Sequence, residues 1–108
     1  MRLLAWRPVR KRSLRGFADV ELEMGLQLRR IAVFQQRSSS WASFPRLPEM
    51  RDGRQLRDDW GNPAWLTLLA WRDRGLDDQF SRQVVELVRA AHPQDFDAEE
   101  ADAGEVKG

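Results

Sequence analysis

The clearest pattern along the chain is an alternation of apolar and polar residues that follows a basic stretch at residues 10–12. One side of the alternation carries four apolar residues, Ala18, Val20, Leu22 and Met24. The other side carries Phe17, Asp19, Glu21 and Glu23. A period of two over this length predicts a strand with one face in the core and the other in water. Gly25 comes next and predicts a tight turn into a second strand.

That second strand has an irregular apolar pattern. Its apolar residues are Leu26, Leu28, Ile31 and Val33, and their phase slips by one at the Arg29-Arg30 pair. A β-bulge at this pair would keep both halves of the strand facing the core and would increase the local twist. The two strands are therefore predicted to form a hairpin that contains a bulge.

Two shorter segments predict flanking strands. Residues 3–9 are mostly apolar but are interrupted by Pro8, which is typical of a strand at a sheet edge. The three serines at 38–40 predict a turn, and residues 41–44 predict a short fourth strand that ends at Pro45.

The segment from Arg46 to Pro63 has no regular period and contains two glycine turn motifs. It is predicted to be a long loop or a protruding hairpin, which is unusual in a small domain. Residues 64–71 are almost entirely apolar and too short for an independent helix. They predict a buried fifth strand, with Trp65 and Trp71 in the core.

The period then changes to that of a helix. Apolar side chains recur at Phe80, Val84, Leu87, Val88 and Ala91. Asp73 or Asp77 can cap the start of this helix, and Pro93 closes its end. The predicted fold class is α+β: a curled antiparallel sheet of four to five strands followed by one C-terminal helix, in a single domain over residues 1–92.

The near-neutral formal charge of +1 conceals two regions of opposite sign. Residues 1–92 hold 17 basic and 11 acidic side chains, whereas residues 93–108 hold six acidic side chains and one basic side chain. The later segment has few large apolar groups, so it is predicted to be a flexible, disordered acidic tail. Such a tail can compete with nucleic acid for a basic surface or recruit a partner, or it can act only as a solubilising end.

The residues present argue against several kinds of chemistry. There is no cysteine, and the one histidine, His92, is expected to cap the helix end, so neither a metal site nor any cofactor is expected. The carboxylate pairs at 58–59 and 99–100 are predicted to be solvated, and we expect no enzyme activity. No apolar run reaches the roughly 20 residues that a membrane span needs. A cytoplasmic protein is expected.

Basic residues with aromatic neighbours form the candidate binding site. Nucleic-acid-binding sheets combine cations for phosphates with aromatic rings on which bases stack. All but one of the bases in residues 1–92 are arginine, which suits bidentate phosphate contact, although a GC-rich genome accounts for that bias equally well. The candidate site comprises Arg10, Lys11, Arg12, Arg15, Arg29, Arg30, Arg37, Trp41, Arg46, Arg51, Arg54 and Arg57. For Trp41 a place in the core is an equal alternative.

Three segments of the chain resemble a known family. They are Leu14 to Leu22, Gly25 to Val33, and Trp41 to Arg46 with the Asp52-Gly53 and Arg57-Asp58 pairs that follow. Together they resemble the sporulation regulator SpoVG, and also short phage and proteobacterial proteins with a single-stranded-DNA-binding, transcriptional-coactivator-like fold. The resemblance implies a small sheet with one long C-terminal helix, dimerisation through strands, and DNA binding. It places the family's basic residues on Arg46, Arg51, Arg54 and Arg57.

Two functions from different classes follow from the sequence. The first is a nucleic-acid-binding accessory or regulatory protein, specific for single-stranded DNA or for DNA of weakly specified sequence, which acts as a homodimer. The second is a protein-interaction module of phage or mobile-element type that binds a host protein complex. In that case the segment 46–63, with Met50, Leu56 and Trp60, or the acidic tail would form the contact.

Overall fold

A computed structural model describes residues 1–97. Strands β1 (Arg2–Lys11), β2 (Leu14–Glu21), β3 (Gln27–Gln36) and β4 (Ser39–Ser43) form one antiparallel sheet in chain order. Helix α1 (Arg74–Ala91) packs across it, and a 3-10 turn (Pro93–Asp95) follows the helix. The predicted α+β class, a four-stranded antiparallel sheet with one C-terminal helix, is confirmed.

The core lies between one face of the sheet and the helix. Its buried side chains include Ala18, Val20, Ile31 and Val33 from the sheet and Phe80, Val84, Val85 and Val88 from the helix. The predicted strand and helix periods are therefore confirmed at these positions, except that burial of Val85 was not predicted. Two apolar residues were wrongly placed in the core, because Met24 is 82% exposed and Leu26 is 50% exposed. Pairing of β2 stops at Glu21, and both residues belong to the turn that Gly25 makes at φ 94°.

The predicted bulge at Arg29-Arg30 is confirmed. Ala18 pairs with Ile31 and Val20 pairs with Leu28, so β3 has one residue more than β2 between the two pairs. Arg30 adopts a φ of 61°, and its backbone N–H donates to the Asp19 carboxylate at 2.9 Å. The acidic side chain thus satisfies a backbone group that the bulge leaves without a strand partner.

Helix α1 begins and ends as the sequence predicts. The Asp73 side chain accepts a hydrogen bond from the Leu76 N–H at 2.9 Å, which is an N-cap. His92 is the C-cap residue, and its backbone N–H donates to the Val88 carbonyl at 2.7 Å. One predicted core residue, Ala91, is exposed. The packed side of the chain continues from Val88 to His92, whose ring lies 6.1 Å from that of Trp6.

The predicted buried fifth strand is wrong. Strand β5 (Arg46–Pro48) pairs with β8 (Trp65–Thr67), and β6 (Met50–Arg51) pairs with β7 (Arg54–Gln55), so residues 46–67 form a separate two-stranded arm. Trp65 was placed in the core but is 46% exposed. Strand β8 pairs with β5 and with no strand of the four-stranded sheet, so its apolar side chains lie outside the core between that sheet and α1. The protruding hairpin was the correct alternative.

Trp71, which was predicted to lie in the core, is partly buried and packs against it. Its ring centroid lies 5.8 Å from that of Phe44 and 5.3 Å from that of Phe80. The centroids of Phe44 and Phe80 are 5.1 Å apart, so the three rings form an aromatic cluster between the end of β4 and the start of α1.

The acidic tail was predicted to begin at Pro93, which is too early. Residues 93–97 are folded onto the sheet, and Phe96 is buried. The Phe96 ring stacks on Trp6 at 6.4 Å, and the indole N–H of Trp6 donates to the Asp95 carboxylate at 2.8 Å. Residues 95–97 are called the C-terminal clasp below. The rest of the predicted tail, 98–108, lies outside the described residues.

Within residues 1–97 no helix combines the length and apolar character needed to cross a bilayer. The same residues contain no group of three or more histidine and acidic side chains placed to hold a metal ion.

Candidate nucleic-acid interface

Two hairpin turns lie side by side at one end of the sheet. The first joins β1 to β2 at Arg12-Ser13, and the second joins β3 to β4 at Arg37-Ser38. A hydrogen bond of 2.8 Å from the Gln35 N–H to the Ser13 carbonyl holds the turns together. They gather five of the predicted site residues into what we call the turn cluster: Arg10, Lys11, Arg12, Arg15 and Arg37.

Each of these turns has an arginine in the left-handed backbone region. Arg12 and Arg37 both have a φ of 57°. Such a conformation costs a residue with a side chain about 1 kcal/mol or more, and glycine or asparagine is the usual choice in a two-residue hairpin turn. The turns thus carry long cations where stability alone favours a small residue. Backbone strain of this kind is a recognised mark of functional sites.

Arg15 differs from the rest of the turn cluster because it is buried. The β2–β3 register shifts between Leu14 and Gly16, so Arg15 occupies the extra position of a bulge. Its side chain is 7% exposed, and its Nη1 donates to the Arg12 carbonyl at 2.7 Å. Burial lowers the pKa of the Arg15 guanidinium from its usual value, and the nearby charge of Arg10 lowers it further.

The counter-charge for Arg15 comes from the C-terminal clasp. One carboxylate oxygen of Asp97 accepts from Arg15 Nη2 at 2.8 Å, and the other accepts from Arg10 Nη2. Gln35, which is 1% exposed, holds the backbone of Asp97 in place. Its side-chain amide donates to the Asp97 carbonyl at 3.1 Å and accepts from the Asp97 N–H at 2.7 Å. The carboxylate is therefore presented between two guanidinium groups.

The face of the sheet opposite the helix, called the open face, carries aromatic residues. Phe17, Phe34 and Trp41 are out of phase with the buried residues of their strands and are half-buried. The rings of Phe34 and Trp41 stack at 5.4 Å as a cross-strand pair. The sequence is compatible with either a core or a surface position for Trp41, and the structure places it on this face.

Two arginines accompany the aromatic residues of the open face. Arg7 is the strand partner of Phe17, and the Arg30 guanidinium lies 5.9 Å from the centroid of the Phe17 ring. Arg30 was a predicted site residue. Arg7 was not included, although the alternation of β1 could have placed it on this side. Arg29, also predicted, forms an ion pair of 3.3 Å with Asp19 at the same bulge.

The structure does not bring the remaining predicted residues to the turn cluster. Arg46, Arg51, Arg54 and Arg57 all belong to the arm, which begins beyond the opposite end of β4 from the Arg37 turn. Arg46 lies 5.1 Å from the ring centroid of Trp65. Arg51 and Arg54 are opposite each other at the arm's tip, and Arg57 donates to the Gly61 carbonyl at 2.7 Å. The twelve predicted residues thus divide between separate surfaces.

Besides Arg7, three residues that shape the site were not predicted as part of it: Asp19, Gln35 and Asp97. Gln35 and Asp97 are 62 residues apart in the chain, and no short sequence pattern joins them. A signal for Gln35 was present, because it continues the buried phase of Ile31 and Val33 with a polar residue. A polar residue at a core position needs a specific partner, and here that partner is the clasp.

Comparisons with protein-family models, with curated proteins and with solved structures find no match to this chain. The resemblance to SpoVG therefore stays a prediction from the three segments that carry it.

Proposed function

We propose that this chain is a cytoplasmic, non-enzymatic accessory or regulatory protein that binds DNA, either single-stranded or of weakly specified sequence. The observation that carries the proposal is the turn cluster, in which basic side chains from two neighbouring hairpins meet and two of them occupy strained backbone positions. Phosphates are the natural ligand of such a group, since guanidinium groups bind them through paired hydrogen bonds.

The open face supports the same function. Trp41 and its stacking partner Phe34 are three residues along their strands from the Arg37-Ser38 turn. At a rise of about 3.3 Å per residue, the ring pair is about 10 Å from the turn. A single strand whose phosphates contact the turn cluster can therefore place a base on Trp41. Base stacking on an aromatic side chain contributes about 1 to 3 kcal/mol and requires no particular sequence.

The test is a titration of a fluorescent oligothymidylate at two salt concentrations, about 50 and 200 mM. If four phosphates are contacted, affinity should fall about 50-fold between the two conditions, because each neutralised phosphate releases counterions. A duplex of the same length distinguishes single-strand from duplex preference. Absence of binding at the lower salt concentration, or an affinity independent of salt, would exclude the proposal.

A second function, contact with another protein, is favoured by the arm. Its exposed apolar side chains are Leu47, Met50, Trp60, Trp65 and Leu66, and Trp60 is 84% exposed. Exposed apolar patches on a small protein commonly mark an interaction surface. We propose that the partner is a second copy of the chain, since a homodimer would cover part of this exposed apolar surface and place two turn clusters on one assembly.

Light scattering at micromolar concentration tests the dimer. The expected mass is twice that of the 12.6 kDa chain, and the double variant Trp65→Ser/Leu66→Ser should shift the mass toward the monomer. The matched control is the double variant Met24→Ser/Leu26→Ser, which changes two exposed apolar residues in the turn between β2 and β3. A monomeric wild-type protein would contradict the dimer. Capture of a partner from a nuclease-treated lysate would then favour the host-protein alternative.

A further inference from the structure

We propose that Arg10 and Arg15 form a phosphate-binding site which Asp97 occupies in the free protein, so that a nucleic-acid phosphate must displace this carboxylate. The inference rests on the proposed DNA-binding function and adds a specific site and a competitor within the chain. Its basis is the bridging of two guanidinium groups by the two oxygens of one carboxylate.

The two arginines are directed to this point by irregularities in their strands. Between Pro8 and Lys11, β1 has one residue more than β2, and between Leu14 and Gly16, β2 has one residue more than β3. Arg10 and Arg15 fall within these two bulges, and bulges commonly re-aim a side chain beside a functional site. The two bulges thus bring the guanidinium groups of Arg10 and Arg15 close together, and an anion between them offsets the repulsion of their charges.

Arg15 also has a donor that Asp97 does not satisfy. Its Nη1 and Nη2 are bonded, but its Nε is buried and has no hydrogen-bond partner among the described residues. The residue lines a surface cavity together with Arg12, Gln35 and Arg37. A guanidinium binds a phosphate through two parallel N–H groups, and the two non-bridging oxygens of a nucleic-acid phosphodiester can take the places of the two Asp97 carboxylate oxygens.

Asp97 is suited to be a competitor because its position is set by its backbone. Gln35 bonds the N–H and the carbonyl of Asp97, so the clasp can stay attached while the carboxylate side chain turns away. The buried Arg15 makes an empty site costly, since an unpaired charge in that environment is strongly unfavourable. We therefore expect a nucleic-acid phosphate to replace the Asp97 carboxylate, rather than to enter a site that is already empty.

The test compares two variants with the same change of charge. Asp97→Asn removes the carboxylate from the arginine pair, whereas Asp95→Asn removes a carboxylate that is bonded to the Trp6 indole. At about 50 mM salt, Asp97→Asn is expected to bind oligothymidylate about tenfold more tightly than the wild type, and Asp95→Asn no more than about twofold more tightly, because only the former frees a phosphate site. In an Arg10→Gln background the gain from Asp97→Asn should shrink.

The possible outcomes distinguish a failure of the proposed phosphate site from a failure of the proposed DNA-binding function. If the wild type binds with a normal salt dependence but Asp97→Asn binds no more tightly than Asp95→Asn, the proposed site is overturned and DNA binding stands. If no variant binds, both are overturned. In case Asp97→Asn does not fold, the wild-type protein supplies a second measurement: oligothymidylate should shift the Gln35 side-chain amide signals in an NMR titration. Binding without that shift would also overturn the site.

Discussion

Replacing Gly16 with alanine is expected to lower the free energy of unfolding by about 3 kcal/mol, a large loss for a domain of this size. A Cβ at this position would lie 2.4 Å from the Arg7 carbonyl oxygen and 2.6 and 2.7 Å from two carbons of the Trp6 ring. Neither the Arg7 carbonyl nor the Trp6 ring can move away without a loss of other contacts. The carbonyl belongs to the paired strand β1, and the indole is held by its bond to Asp95 and by its stack on Phe96.

Urea unfolding measures this loss directly, and Gly75→Ala supplies the matched control. At Gly75 the nearest atom to a new Cβ is the Asp73 carboxylate at 3.4 Å, which is ordinary contact. Alanine there, in the first turn of α1, should leave stability unchanged or raise it by up to about 1 kcal/mol. A Gly16→Ala protein within about 0.5 kcal/mol of the wild type would show that β1 and Trp6 are not packed as described.

The double variant Arg12→Gly/Arg37→Gly is expected to make the protein more stable and a weaker DNA binder. Glycine adopts the left-handed conformation of both turns without strain, so stability should rise by about 1 kcal/mol after allowance for glycine's greater chain entropy. Loss of two phosphate contacts should weaken oligothymidylate binding by about 10- to 100-fold at 50 mM salt and reduce the slope of log affinity against log salt by about 1.4.

Thermal unfolding and the salt titration together check this result. The control is Arg74→Gln/Arg82→Gln, which removes the same charge from exposed positions on α1. It should change affinity and salt slope much less, because these residues lie outside the turn cluster. If the two double variants weaken binding equally, the turn cluster has no special role and only net charge matters. If the glycine variant is less stable, the left-handed arginines are not strained.

Local patterns in the sequence predicted the elements whose formation depends on local chemistry. The alternation around Val20, the phase slip at Arg29-Arg30 and the Asp73 cap each involve residues close together in the chain, and each is found in the structure. Glycine at position 25 similarly predicted its turn. In these cases the side-chain period or the backbone preference is itself the physical cause of the structure.

The predictions that were wrong are those in which burial was inferred from the hydrophobicity of a segment, without knowledge of its tertiary contacts. An apolar run from Ala64 to Trp71 is equally compatible with a buried strand and with an exposed arm, since period alone cannot say what covers it. Conversely, Asp97 lies in an acidic segment that composition assigns to a tail, and its hydrogen-bond partners Arg15 and Gln35 are far away in sequence. The sequence placed the residues of the turn cluster and the arginines of the arm in one candidate site, and their separation into two surfaces depends on the topology of the fold.

The C-terminal clasp also bears on how the protein folds during synthesis. Its contacts with Trp6, Arg10 and Arg15 join residues that are more than 80 positions apart. Contacts of such long sequence separation form late and slow the folding of small domains. On the ribosome, β1 cannot acquire its Asp95 and Phe96 neighbours until nearly 100 residues have been translated and have left the exit tunnel. The nascent chain must therefore carry an incompletely covered Trp6, and a partly unmatched group of arginines, through most of its synthesis.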